Sequence, residues 1–113
     1  MNPARPRQGQ VVTVFRNRLD PAAQAAYREE LDVVAALARE MPGFVESTTF
    51  TAEDGERATI VTFADAESHR AWRDHPRHRS AQRRGIAEFY TEYSIAVGTT
   101  EYAAAWSRPP ASE

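Results

Sequence analysis

DAESHRAWRDHPRHRSAQRRGIAEFYTEYSIAV, residues 65–97, is the stretch whose reading decides the fold. Asp65 offers a side-chain acceptor at a helix start, and Glu67 puts negative charge into the first turn, where backbone N–H groups point outward. Pro76 then breaks the helix, because proline lacks an amide donor and biases His75 before it away from helical backbone, while suiting the start of a new segment. In that segment His78, Ala81, Gln82, Gly85, Ile86 and Phe89 share one stripe at helical spacing, and Arg77, Arg79, Arg83, Arg84 and Glu88 lie mostly off it. Residues 91–97 return to β-branched and aromatic character and predict a closing strand.

The other half of the pattern lies upstream. The run VVTVFRNRL is too apolar for a strand with one wet face, so residues 11–18 read as a central strand, with Asn17 on the same face as Thr13 and Phe15. Asp20 followed by Pro21 is a helix start. Tyr27, Leu31, Val34, Leu37, Ala38 and Met41 then form one buried stripe, which Met41-Pro42-Gly43 ends. Residues 44–52 and 57–64 are strands, and Glu53-Asp54-Gly55-Glu56 between them is a tight turn, so the two form a hairpin.

The order βαββαβ predicts the α+β ferredoxin-like fold, a four-stranded antiparallel sheet with two helices on one face. Val12, Val14, Val45, Thr49, Ile95 and Val97 are assigned to the uncovered face. That is more apolar surface than a monomer usually exposes, and it predicts a homodimer packed sheet against sheet. Residues 1–9 read as a flexible arm, residues 10–99 as the domain, and residues 100–113 as a tail whose Tyr102 and Trp106 suit docking on a partner subunit.

Composition narrows the function classes. A chain of 113 residues with a formal charge of -2 has no overall bias toward nucleic acid or anionic membranes. The arginine-rich RHRSAQRR reads as a solvated helix face. The absence of cysteine removes disulfides, thiolate nucleophiles and cysteine-type zinc sites. No apolar run approaches the ~20 residues that span a bilayer, and residues 1–9 lack the apolar core of an export signal, so a cytoplasmic protein is expected. There is no glycine-rich phosphate loop and no hydrolase signature. Pro76 breaks the register among His69, His75 and His78, and no acidic ligand stands beside them, so no metal site is expected.

VVTVFRNRL, MPGFV, ATIVTFADAESHRAWR and HPRHRSAQRRGIAEFYTEYSIAV together resemble the antibiotic biosynthesis monooxygenase family of the dimeric α/β-barrel superfamily, over residues 10–99. The resemblance implies a pocket between sheet and helices. It also implies oxygenation of an electron-rich aromatic molecule, a phenol, hydroquinone or polyketide-like ring, without cofactor. Haem-degrading members of the family carry an Asn near the end of the first strand and a Trp in the second helical region, matched here by Asn17 and Trp72. Their iron-ligating His would fall near Ala81 and Gln82, where this chain has none. Haem binding or degradation is therefore an alternative expectation, beside a non-catalytic binding protein for an aromatic metabolite. The polyketide-oxidising members place Asn, Trp and Tyr where this chain has Thr62, Ala66 and Trp72.

Three residues are expected to carry chemistry. His78 titrates near neutrality and points inward, as a general base requires, though a core or interface histidine would look the same. Asn17 would donate a hydrogen bond to a substrate oxygen, or else satisfy backbone near the sheet edge. Trp72 would wall the pocket as core or as part of the site. Phe15, Phe63, His75, Gln82 and Phe89 complete the expected substrate contacts, with His69 expected to be exposed.

Overall fold

The computed structural model describes residues 6–111; residues 1–5 of the expected arm lie outside the described residues. The element order is β1 (Val11–Leu19), α1 (Gln24–Glu40), β2 (Phe44–Thr51), β3 (Arg57–Phe63), α2 (Ala66–Arg73), α3 (Pro76–Arg84) and β4 (Tyr90–Thr99). The strands form one antiparallel sheet in the order β2-β3-β1-β4, so β1 is central, and the helices pack on one face. This is the ferredoxin-like arrangement.

Local chemistry explains each boundary. Asp20 accepts from Ala22 N–H and opens a short turn over Pro21–Ala23 that leads into α1. Asp65 accepts from Ser68 N–H at the start of α2. His75 is the N-cap of α3, its Nδ1 accepting from Arg77 N–H at 3.1 Å, with Pro76 in the first helical turn. Gly43 closes the connection from α1 with φ +80°, and any Cβ there would collide with the Ser68 side chain. Beyond α3 the chain leaves α-helical geometry for one wide turn over Gly85–Phe89, closed by a hydrogen bond from Tyr90 N–H to Gly85 C=O five residues back. The extra residue in that turn buries Gly85 and Phe89 while leaving Ile86 exposed, which a plain helical stripe does not predict.

The core lies where the predicted stripes meet. Ala38, Phe63 and Trp72 are buried together, with Val34, Leu37, Met41, Phe44 and Val61 packed around them. Phe44 and Phe63 meet edge to face at 5.8 Å. α3 has no buried residue of its own and is fastened to α1 by charge. Glu30 of α1, only 7% exposed, binds Arg77 and Arg84 together, the second at 3.2 Å. The hydrogen bond from Arg77, ahead of its charge and of Arg84, holds the Glu30 carboxyl below its ordinary range.

The register corrects the assignment of sheet faces. Ile95 pairs with Phe15, Val97 with Thr13, and Thr49 with Thr59, itself opposite Phe15, so Ile95, Val97 and Thr49 face the helix side. Alternation fixes faces within a strand, but only pairing relates one strand to the next, and sequence does not give it. The opposite face carries Val12, Val14 and Ile60 at one end. At the other, Arg16 pairs with Glu56 at 2.6 Å and Arg18 with Asp54 and Glu92, each at 2.7 Å. The chain entering β1 is tied down rather than loose at its end, since Gly9 N–H bonds Thr100 C=O and Thr100 N–H bonds Gln10 C=O. Tyr102 and Trp106 of the tail are 84% and 78% exposed.

Replacing Glu30 by Gln is expected to lower unfolding free energy by about 1–3 kcal/mol at pH 7, read by chemical denaturation. Because folding depresses the carboxyl pKa, the deficit should be complete above the unfolded value of 4.5 and shrink as pH falls through the folded one. Gly43→Ala should cost about 1–3 kcal/mol in the same assay, because it combines a positive φ with a steric clash. A neutral effect at either position would contradict the packing described.

Candidate functional site

Between the sheet and the helices lies a cavity of about 390 Å³. That is within the range of ~300–1,000 Å³ typical of small-molecule sites. Its floor is Thr13 and Phe15 of β1, Thr59, Val61 and Phe63 of β3, and Tyr93, Ile95 and Val97 of β4; its roof comes from Tyr27, Val34 and Ala38 of α1 and from α2 and α3. Tyr93, Ile95 and Val97 of β4 are about half exposed.

Trp72 is buried in the core and also lines the cavity. His78 stacks on it, ring centroids 4.3 Å apart and planes 14° from parallel, and His78 Nδ1 lies 3.1 Å from Trp72 C=O. A carbonyl can only accept, so Nδ1 carries the hydrogen and Nε2 keeps the lone pair. Burial, the largest influence, pushes the His78 pKa below its ordinary value, the Trp72 hydrogen bond opposing it. The imidazole is therefore neutral at pH 7. This is the state a general base needs.

The remaining expected contacts divide. Phe15, Phe63, Gln82 and Phe89 line the cavity with His78 and Trp72, although Gln82 is exposed along much of its length. His75 does not line it; its ring sits 5.7 Å from Trp72 and its Nδ1 is spent on capping α3. Asn17 is 1% exposed and is not among the residues that line the cavity; its cross-strand neighbours are Tyr93 and Arg57. Neither amide atom of Asn17 has a hydrogen-bond partner among the described residues. Buried amides are rarely left so.

Several site residues escaped the sequence reading. His69, expected to be exposed, is half-buried; its Nε2 is 3.4 Å from Thr13 Oγ1 and its ring meets Phe63 edge to face. Burial, followed by Arg73 and Arg70, depresses its pKa. The available signal was its spacing of three from Trp72, which places both on one helix face. Tyr27, Tyr90 and Tyr93 form an aromatic group with Phe15 and Phe89, the Phe15 and Tyr90 rings 5.3 Å apart. Burial raises the phenol pKa of both Tyr27 and Tyr90. Among the described residues no cluster of three metal-binding side chains occurs, and no helix is long and apolar enough to cross a membrane.

Known proteins share this architecture. SnoaB from Streptomyces nogalater, described as a cofactor-independent oxygenase, superposes with a TM-score of 0.70 at 21% identity, over 83% of this chain and 95% of its own. Rv0793 from Mycobacterium tuberculosis gives a TM-score of 0.75 at 17% identity, over 86% of this chain and 100% of its own. A conserved protein from Methanosarcina mazei gives 0.74 at 8% identity, over 83% and 95%. At these identities the likeness establishes the fold. No curated protein matches the chain significantly by sequence. The family profile described as antibiotic biosynthesis monooxygenase does match, over residues 10–84, which is most of the domain, and the chain therefore belongs to the antibiotic biosynthesis monooxygenase family.

Proposed function

We propose that the protein is a cofactor-independent monooxygenase acting on an electron-rich hydroxyarene. The observation that carries this reading is His78, a half-buried, neutral imidazole whose tautomer is set by the Trp72 carbonyl and whose ring lines a largely apolar cavity that Glu30, His69 and Arg73 also border. SnoaB, which shares the fold, is described as an oxygenase of this cofactor-independent kind.

Such chemistry asks little of the protein. His78 Nε2 takes a proton from the bound hydroxyarene, and the resulting anion is rich enough in electrons to reduce dioxygen at a ring carbon. A carbon–oxygen bond forms there, the oxygen–oxygen bond breaks, and the ring is left as a quinone. One atom of dioxygen stays on the ring and the other leaves as water with two hydrogens from the substrate, so the substrate supplies every electron. Trp72, Phe15, Phe63 and Phe89 form the apolar walls that keep competing water away from the anion. Asn17 supplies a buried amide to hold a substrate oxygen. Sheet-to-sheet pairing of two chains through Val12, Val14 and Ile60 belongs to the same proposal, as does a cytoplasmic setting. Nothing in the site geometry favours haem.

Oxygen uptake with a panel of naphthols and hydroquinones tests this reading. His78→Ala should lower kcat/KM by about 100-fold or more while the circular dichroism spectrum is retained, whereas His69→Ala should keep most of the turnover. Uptake that survives in His78→Ala would remove this residue from the mechanism. The depressed His78 pKa also sets the pH profile: the acid limb of wild-type kcat/KM should be centred below the ordinary imidazole value of 6.5. An acid limb centred at or above 6.5 would contradict His78 as the base.

A further inference from the structure

A second cavity adjoins the first at the end of the sheet where β1 runs out and α1 begins, with Tyr27 and Leu31 in the lining of both. Its character is different. Arg18, Arg28 and Arg57 face it with a single carboxylate, Asp54, which is already held by Arg18 at 2.7 Å. Arg57 has no carboxylate within ion-pair distance among the described residues, and its buried Nε has no hydrogen-bond partner there. Its guanidinium carbon lies 4.7 Å from the centre of the Tyr27 ring, so the side chain reaches up from the sheet toward α1.

Asn17 stands directly across from Arg57 in the β1–β3 register, and paired residues of an antiparallel sheet project their side chains to the same side, with Cβ atoms about 5 Å apart. Two unsatisfied polar groups thus sit together: an amide that is 1% exposed and an unpaired cation with a buried donor. Leaving either without a partner is costly, and leaving both is costlier, unless something supplies acceptor oxygens. A carboxylate matches this pair. It presents two acceptor oxygens and a negative charge to pair with Arg57, and it can take one N–H from Arg57 and one from Asn17 Nδ2, leaving only the Asn17 Oδ1 acceptor to another donor.

We propose that Arg57 and Asn17 form a carboxylate-binding subsite, and that the substrate is an aromatic carboxylic acid whose ring lies in the first cavity and whose acid group reaches past Tyr27 into the second. This rests on the proposed binding of an aromatic ring beside His78 and names its substrate class. The base and the anion site lie in adjoining cavities that share Tyr27 and Leu31, so the acid group fixes which ring carbon is presented for reaction. Arg57 then acts as a specificity residue.

Matched ligands that differ by the acid group alone test this by binding, without turnover. Hydroxynaphthoate and the corresponding naphthol are titrated into the wild-type protein by calorimetry. The acid should bind roughly tenfold tighter or more, the scale of a charge-assisted hydrogen bond. In Arg57→Gln that advantage should disappear while naphthol affinity stays the same, and Arg57→Lys should restore part of it. Equal affinity of the two ligands for the wild type, or an advantage that survives in Arg57→Gln, would overturn the subsite. The wild-type comparison decides even if a variant fails to fold. Failure of the oxygenase reading would look different: the acid would bind preferentially and no oxygen would be consumed. If neither ligand binds the wild type, both the subsite and the pocket reading fall.

Discussion

The grip of one buried carboxylate on two arginines governs the geometry of the site. α3 is short, rich in arginine and carries no buried residue, so hydrophobic burial does little to hold it. Glu30 holds it instead, reaching from α1 to Arg77 near the start of α3 and Arg84 at its end. Such a pair adds less to stability than its charges suggest, since desolvation offsets much of the attraction. Its value is positional. Two tethers on either side of His78 fix both the tilt and the rotation of the helix, and the stack on Trp72 fixes the imidazole ring itself.

Of the two adjoining cavities, the one beside His78 is mostly apolar and the one beside Arg57 is charged. Around His78 and Trp72 the lining is mostly aromatic and aliphatic, with Glu30, His69, Arg73 and Gln82 among it, and burial keeps the imidazole uncharged. Around Arg57 and Asn17 two donors, Arg57 Nε and Asn17 Nδ2, and one acceptor, Asn17 Oδ1, are without partners among the described residues. A molecule with an apolar ring and a negative group would find each half of itself matched. Tyr27 lines both cavities and Tyr90 the first, and burial raises the phenol pKa of each, so both remain protonated there.

Much of this was legible in the chain. The strand and helix order came from punctuation by Asp20-Pro21, Met41-Pro42-Gly43, Asp65 and Pro76, because each of these residues acts on its own backbone within one turn. The inward position of His78 came from helical spacing, and that of Trp72 from its aromatic bulk. What the sequence withheld was longer in range. Which face Ile95, Val97 and Thr49 share depends on strand register, and the pairing of Glu30 with Arg77 and Arg84 joins residues far apart in the chain. His75 illustrates the competition: the proline that makes it a helix cap also takes up its Nδ1. The isolation of Asn17 and Arg57 could not be read at all, since an unmet hydrogen bond is a property of the folded surroundings.

The wide turn at Gly85–Phe89 has a consequence for the length of the chain itself. An α-helix advances each residue by about 100°, and the additional residue accommodated in this turn resets the phase between α3 and β4. A chain one residue shorter here would continue in ordinary helical geometry and deliver Phe89 and everything after it rotated by about a quarter of a revolution. Length variation at this junction is thus not a neutral trimming of a connector. It acts as a frame shift in three dimensions, and the molecule has one permitted reading frame between the helix that bears the imidazole and the strand that closes the sheet.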